Sequence, residues 1–164
     1  MLLVADLDRL YWRIKKDESN NKFIAKAFWD SAKNGSQGQW TNGWGTKARF
    51  PEEVITLEEA DSRLADYLSN IAIKGVMDIF GDFLDNCNDV RQEALINMCY
   101  NLGEEGLAKF HHFVAEIKKP DTDWKTAARY ASESKWYMQV AERAERLCKE
   151  LETGIYFYPD WAKE

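Results

Sequence analysis

Apolar residues recur every three or four positions through most of this 164-residue chain, which is the spacing of amphipathic helices. The pattern differs between Lys22 and Phe50. There the short aromatic-rich run Phe23–Trp29 predicts a strand, and Gln39–Gly45 predicts a second strand. Asn34-Gly35 between them is a strong hairpin-turn signal. Before the hairpin, residues 2–18 form one helical face from Leu3, Leu7, Leu10, Tyr11 and Ile14.

Helical spacing returns after Pro51, where the segment Thr56-Leu57-Glu58-Glu59 has the form of a capping box. It predicts a long helix, and a break follows near residues 81–88. Further helices are then delimited by Asn88 or Asp89, Gly103, Pro120, Thr122 or Asp123, and Gly154.

Helices and strands are therefore segregated along the chain, which predicts an α+β fold rather than alternating βαβ units. We expect a single domain over residues 1–164. Its small β lobe would cover about 15–55, its connecting helix 56–80, and its helical lobe 81–164 with 1–14. A substrate cleft is expected between the lobes.

Charge and composition narrow the class of protein. The formal net charge of −6 argues against a protein that wraps nucleic acid. No apolar run approaches the ~18 residues of a membrane span, and Asp6 and Asp8 interrupt the N-terminal apolar run too early for a signal peptide. The cysteines lack CxxC spacing and predict free thiols rather than a zinc site: Cys87, Cys99 and Cys148. We therefore expect no metal, no cofactor, no nucleic-acid partner and no stable membrane association.

The small lobe offers Glu18 at a helix end, Asp30 at a strand end and Thr41 on the next strand. Glycoside hydrolysis needs one carboxyl group as a general acid and a second to position water or stabilise the cationic sugar. Without further support this is a weak signal, because a glutamate at a helix end is usually solvated.

Longer segments carry a resemblance. Arg91–Gly106 (RQEALINMCYNLGEEG) and Ser134–Gly154 (SKWYMQVAERAERLCKELETG) are similar to helices of the phage-type lysozymes, or endolysins. Thr41–Thr46 (TNGWGT) resembles the Thr-x-Gly-x-Gly turn of that family, and Glu53–Ala60 resembles the start of its connecting helix. The segments occur in family order and together span most of the chain.

The resemblance implies a lysozyme-like fold and hydrolysis of the β-1,4 bond between N-acetylmuramic acid and N-acetylglucosamine in bacterial peptidoglycan. Glu18 would be the general acid of an inverting reaction, and Asp30 and Thr41 would position the water. An inverting reaction predicts carboxyl groups about 6.5–9.5 Å apart. The positions that match the family's substrate cleft are Tyr100, Asn101, Phe113, Tyr130 and Lys135. For the three aromatic residues among them, core packing is an equal alternative.

The resemblance also implies an enzyme of host lysis, held in the host cytoplasm until its release to the periplasm. The sequence does not indicate an oligomeric state, and a monomer is the default expectation. The charge is uneven, with +4 on residues 1–50 and −10 on residues 51–164. This split predicts a basic rim around the catalytic hairpin, and therefore wall binding that weakens with salt.

Three departures from the family pattern leave alternatives open. The acid-to-aspartate interval is normally nine residues and is twelve from Glu18 to Asp30, so that an ungapped count lands on Asn21. We favour an insertion at Ser19–Asn21, because turns between elements tolerate insertion. The hairpin is also longer, at Ala32–Gly38, and Thr46 replaces the family's histidine.

If Asn21 takes the place of the acid, the chain is instead an inactive lysozyme-like wall-binding or virion protein. A second alternative is an acidic helical interaction module without a carbohydrate site.

Overall fold

The computed structural model describes residues 7–33 and 37–157. Leu3 and the Asn34-Gly35 turn lie outside the described residues. The chain divides into two compact units, one of Asp6–Leu68 and one of Ser69–Glu164 with Met1–Ala5. We call them the sheet unit and the helical unit.

The sheet unit begins with helix α1 (Leu7–Ser19) and continues with strands β1 (Ile24–Asp30), β2 (Gln39–Gly43) and β3 (Thr46–Lys47). The strands form an antiparallel sheet in the order β1-β2-β3. The two predicted strands are confirmed, whereas β3 was not predicted because two residues give no alternating pattern. Helix α1 gives way to two residues with positive φ, Asn20 at 54° and Asn21 at 59°. Asparagine tolerates this left-handed conformation better than most residues, which suits a turn at this point.

Helix α1 groups with the sheet, whereas the sequence pattern predicts that residues 1–14 belong to the helical lobe. Contacts in the last turns of α1 provide the physical reason. Lys15 lies 3.3 Å from Asp61 and 4.4 Å above the ring of Trp44, so α1 is attached to other parts of the sheet unit. Leu10 and Ile14, two members of its predicted apolar face, are fully buried.

Residues 57–80 form a continuous helical run made of α2 (Leu57–Tyr67), a π-helical stretch (Leu68–Ile73) and α3 (Lys74–Phe80). The predicted cap is confirmed, because the Thr56 side chain accepts a hydrogen bond from the Glu59 amide. The division between the units falls inside this run, after Leu68.

The helical unit continues with a 3-10 helix (Gly81–Asn86) and five helices: α4 (Asp89–Ala108), α5 (His111–Ile117), α6 (Trp124–Ser132), α7 (Lys135–Gln139) and α8 (Ala141–Thr153). Asn88 caps α4 and Asp123 caps α6, each accepting from the amide three residues on. Gly103 was expected to end α4; it instead forms a kink with φ 77°, after which helix resumes. Gly154 ends α8 in the left-handed conformation.

The core of the helical unit consists of apolar side chains from several helices, including Phe80, Leu95, Met98, Leu107, Ile117 and Leu147. Together the small sheet and the helices confirm the α+β class. In the described part of the chain, no helix combines the length and apolar character needed to span a bilayer.

Candidate active site

Glu18 lies in the last turn of α1, where the turn between β2 and β3 packs against it. A Cβ atom at Gly45 would lie 2.8 Å from the Glu18 carbonyl oxygen and 3.1 Å from its Cβ atom. Gly45 also has φ of 86°, a conformation that favours glycine. The glycine-bearing turn noted in the sequence therefore fixes the end of the helix that carries Glu18.

The Glu18 side chain is only 8% exposed and forms an ion pair with Lys33. Lys33 Nζ donates to Glu18 Oε2 at 2.5 Å. No sequence signal identifies Lys33 as a partner of Glu18, because the two residues are 15 positions apart. The carboxyl group proposed as the acid thus faces a cation in this structure.

Asp30 and Thr41 lie on the same face of the β1–β2 hairpin. The register pairs Asp30 with Gln39 and Phe28 with Thr41, so Asp30 and Thr41 are diagonal neighbours. Such neighbours are roughly 7–8 Å apart across antiparallel strands. Trp29 and Trp40 occupy the opposite face, with ring centroids 6.0 Å apart. The hairpin thus brings together two of the three predicted catalytic residues.

Hydrogen bonds orient both side chains. Asp30 Oδ1 accepts from the Ala32 amide at 3.1 Å. Thr41 is 1% exposed, and its hydroxyl accepts from Gln39 Nε2 at 3.2 Å. Gln39 was not predicted as a functional residue, although its place two residues before Thr41 on a strand puts it on the same face.

A buried polar network anchors the strand next to Thr41. Arg63 donates to both carboxylate oxygens of Glu53 at 2.8 Å, and Asn42 Nδ2 donates to Glu53 Oε1 at 3.1 Å. The Glu53 carboxylate also accepts from the Arg49 amide. The hydrogen bond from Arg63 is the main cause that lowers the pKa of Glu53 from 4.5 to about 2. The network therefore joins β2 to α2 and to the segment between them.

The side chains of Trp44 and Thr46 stabilise the turn between β2 and β3. Trp44 Nε1 donates to Asp61 Oδ1 at 2.8 Å, and its ring lies 6.0 Å from that of Phe23. Thr46 donates its hydroxyl to the Asn42 carbonyl oxygen at 3.3 Å. This residue thus closes the turn by a hydrogen bond.

The five predicted substrate-binding residues all belong to the helical unit. Phe113 is 1% exposed with its ring against Phe110, and Tyr100 is also buried. Their burial favours the packing alternative, and sugar contact by either residue stays a prediction.

The other three residues of this set are more accessible. Asn101 is half-buried and accepts from Trp136 Nε1 at 2.7 Å. Tyr130 stacks on His112 with ring centroids 5.4 Å apart. Lys135 is exposed in the first turn of α7. These three side chains also stay predictions as substrate contacts.

Two further features bear on ligands. A groove of about 470 Å³ runs along α6 and α8, and its lining includes Lys125, Arg129 and Glu145 but none of the eight predicted site residues. Within residues 7–33 and 37–157, no cluster of three histidine, cysteine or acidic side chains is placed to hold a metal ion.

Comparison with known proteins assigns the family. The family model described as Phage lysozyme matches residues 23–149, which is more than half of the chain. The chain belongs to the phage lysozyme family. The matched range contains Asp30, Thr41 and all five predicted substrate-binding residues of this phage lysozyme family member, and it begins after Glu18.

Two relatives have similar sequences. The pre-baseplate central spike protein Gp5 of Enterobacteria phage T4 is 34% identical over 103 residues, which are 63% of this chain and 17% of that protein. Probable T4-type lysozyme 1 of Dictyostelium discoideum is 27% identical over 105 residues, which are 63% of this chain and 60% of that protein. The chain thus matches less than two thirds of the length of either relative.

Proposed function

We propose that this protein is a glycoside hydrolase that cleaves the β-1,4 bond between N-acetylmuramic acid and N-acetylglucosamine in bacterial peptidoglycan. The observation that carries this proposal is the arrangement of the sheet unit. One hairpin face bears Asp30 and Thr41, and the turn that follows β2 packs against the end of the helix bearing Glu18. Membership of the phage lysozyme family supports the same reaction.

In this proposal Glu18 protonates the oxygen of the leaving sugar. Its low exposure supports the role, because a carboxyl group shielded from water is more readily protonated once its cationic partner Lys33 is displaced. Asp30 acts as the base that activates a water molecule, and the Thr41 hydroxyl helps to hold that water. Inversion at the anomeric carbon follows if the water attacks from the face opposite to Glu18.

The structure of the turn after α1 supports Glu18 over Asn21 as the residue at the acid position. Asn21 is exposed, and its main-chain amide donates to the Lys15 carbonyl oxygen at 3.1 Å. Asn21 therefore belongs to the turn that ends the helix. An amide side chain has no acidic proton to transfer at the pH at which such enzymes work.

The test measures clearance of outer-membrane-permeabilised Gram-negative cells and the new reducing ends in purified peptidoglycan. We expect Glu18→Gln and Asp30→Asn each to lose at least about 100-fold in rate, since general acid–base catalysis contributes that much. Asp17→Asn, the neighbouring carboxyl group on α1, and Asn21→Ala should retain activity. If Glu18→Gln clears cells as fast as the wild type, the assignment of the acid is wrong.

A role in host lysis is the physiological setting that we propose for this activity. The similarity to Gp5 favours a second setting, in which the protein is a component of a phage particle. Antibody detection of the protein in purified particles and in the soluble lysate of the same culture separates the two. Wall pull-down without any release of reducing ends would instead indicate an inactive binding protein.

A further inference from the structure

Lys33 occupies a defined place at the base of the loop between β1 and β2. Its amide donates to the Asp30 carbonyl oxygen at 3.4 Å, and its own carbonyl oxygen accepts from the Gly38 amide at 2.9 Å. Main-chain hydrogen bonds therefore connect Lys33 to the last residue of β1 and to the residue that precedes β2. Lys33 lies within Ala32–Gly38, the segment that the family resemblance predicts to be an extension of this hairpin.

The side chain of Lys33 reaches back to α1. Only 26% of it is exposed, and the carboxylate that it meets is 8% exposed, so the pair is largely shielded from water. An ammonium group at hydrogen-bond distance favours the charged form of a carboxyl group. A general acid, in contrast, has to carry a proton when the sugar is bound.

Charged groups on the elements that surround Glu18 have contacts of their own. On α1, Lys15 is paired with Asp61 of α2, and Asp17 is the adjacent carboxyl group in the chain. On the hairpin, Asp30 accepts from the Ala32 amide. The β2–β3 turn packs against Glu18 through Gly45, and Lys47 on β3 is exposed. Glu18 takes part in further interactions as well, so Lys33 is one contributor among several.

We propose that Lys33 is a positioning residue that holds the Glu18 carboxylate and keeps it ionised in the free protein. Substrate then has to displace the ammonium group, or weaken its contact, before Glu18 can take a proton from water and donate it to the leaving oxygen. This inference rests on the proposed role of Glu18. It gives Lys33 a function, which is to set the pH range in which the acid is protonated.

The first test is the pH profile of kcat/KM, whose alkaline limb reports the ionisation of the essential acid in the free enzyme. Lys33→Gln should move that limb to higher pH by about one unit, the lower end of the effect of one nearby opposite charge. Lys33→Arg should leave it in place. Lys26→Gln is the matched control, because it removes one positive charge from the same hairpin, where Lys26 lies 3.7 Å from the exposed Glu52.

The second test does not depend on activity. Carboxyl ¹³C titration of glutamate-labelled full-length protein follows Glu18 directly, with its resonance assigned from the Glu18→Gln spectrum. The midpoint should rise by about one unit in Lys33→Gln and remain unchanged in Lys33→Arg and Lys26→Gln. Thermal unfolding of each variant confirms that it is folded.

The outcomes separate the two proposals. If the midpoint of the Glu18 titration does not change in folded Lys33→Gln, the proposed role of Lys33 is overturned. A wild-type protein that releases no reducing ends overturns the proposed function, and the carboxyl titration still tests the ion pair. A titration that moves while the alkaline limb of an active enzyme does not move shows that Glu18 is not the acid, and it overturns the catalytic part of this inference.

Discussion

Gly45 approaches the main chain of Glu18 so closely that a methyl group at this position would lie 2.8 Å from the Glu18 carbonyl oxygen. The contact joins the turn after β2 to the end of α1. It therefore couples the position of the proposed acid to the strand that carries Thr41.

Gly45→Ala should consequently destabilise the protein and displace Glu18. Positive φ alone costs a non-glycine residue about 1–3 kcal/mol, and the steric overlap adds to it. We expect a lower midpoint in urea unfolding and a loss of kcat that exceeds the loss of folded protein. Gly81→Ala is the control, because Gly81 also has positive φ but no atom within 4 Å of a built Cβ. Equal losses of kcat per folded molecule in both variants would contradict the coupling.

The Glu53–Arg63 pair should contribute to stability above acidic pH. The folded-state pKa of Glu53, about 2, lies below its ordinary value of 4.5. Its contribution to the free energy of unfolding is therefore complete above about pH 4.5 and is lost as the pH falls towards 2.

Glu53→Gln should accordingly destabilise the protein at pH 7, by about 3 kcal/mol for a broken buried pair, and by less at pH 2 to 3. Urea unfolding at each pH measures the difference. Glu52→Gln, at an exposed pair next in the chain, should change the free energy of unfolding little at any pH. A difference between Glu53→Gln and wild type that is the same at pH 2 and pH 7 would rule out this ionic contribution.

The three cysteines should react slowly in the folded protein. All are free and buried, and burial raises the pKa of Cys87 to about 11 and those of Cys99 and Cys148 to about 12. Each unit of pKa lowers the thiolate fraction about tenfold, so alkylation at pH 8 should be at least about 100-fold slower than in urea. Mass spectrometry of iodoacetamide-treated protein measures this. Rapid labelling of folded protein at any one cysteine would show that its site opens.

Wall binding should weaken with salt, but only modestly. The basic rim was predicted from the net positive charge of residues 1–50. The sheet unit extends further along the chain and has ten basic and eleven acidic residues, because α2 adds acidic side chains. Its lysines also form pairs such as Lys15–Asp61 and Lys33–Glu18.

Pull-down on purified peptidoglycan at about 0.05 and 0.5 M salt compares binding with long and short screening lengths. Lys47→Gln, which removes an exposed charge from β3, should reduce binding only at the lower salt concentration. Binding that does not change with salt would exclude an electrostatic contribution from the hairpin.

Local signals in the sequence predicted much of this fold. Thr56, Asn88 and Asp123 act as helix caps, and β1 and β2 form at the two runs that were predicted as strands, the first of them rich in aromatic residues. These features depend on neighbours within a few positions, so the local pattern is sufficient to identify them. The family resemblance in turn named Glu18, Asp30 and Thr41, whose catalytic roles stay proposals.

The tertiary structure decided the environment of those residues. The pairing of Lys33 with Glu18, the bidentate contact of Arg63 with Glu53 and the burial of Phe113 all join or enclose residues that are distant in the chain. Periodicity assigns a side chain to a face of its own helix or strand, but it does not say which distant side chain packs against that face. The charge that faces Glu18 is therefore set by packing, because electrostatic effects depend on distances and burial that only the folded chain defines.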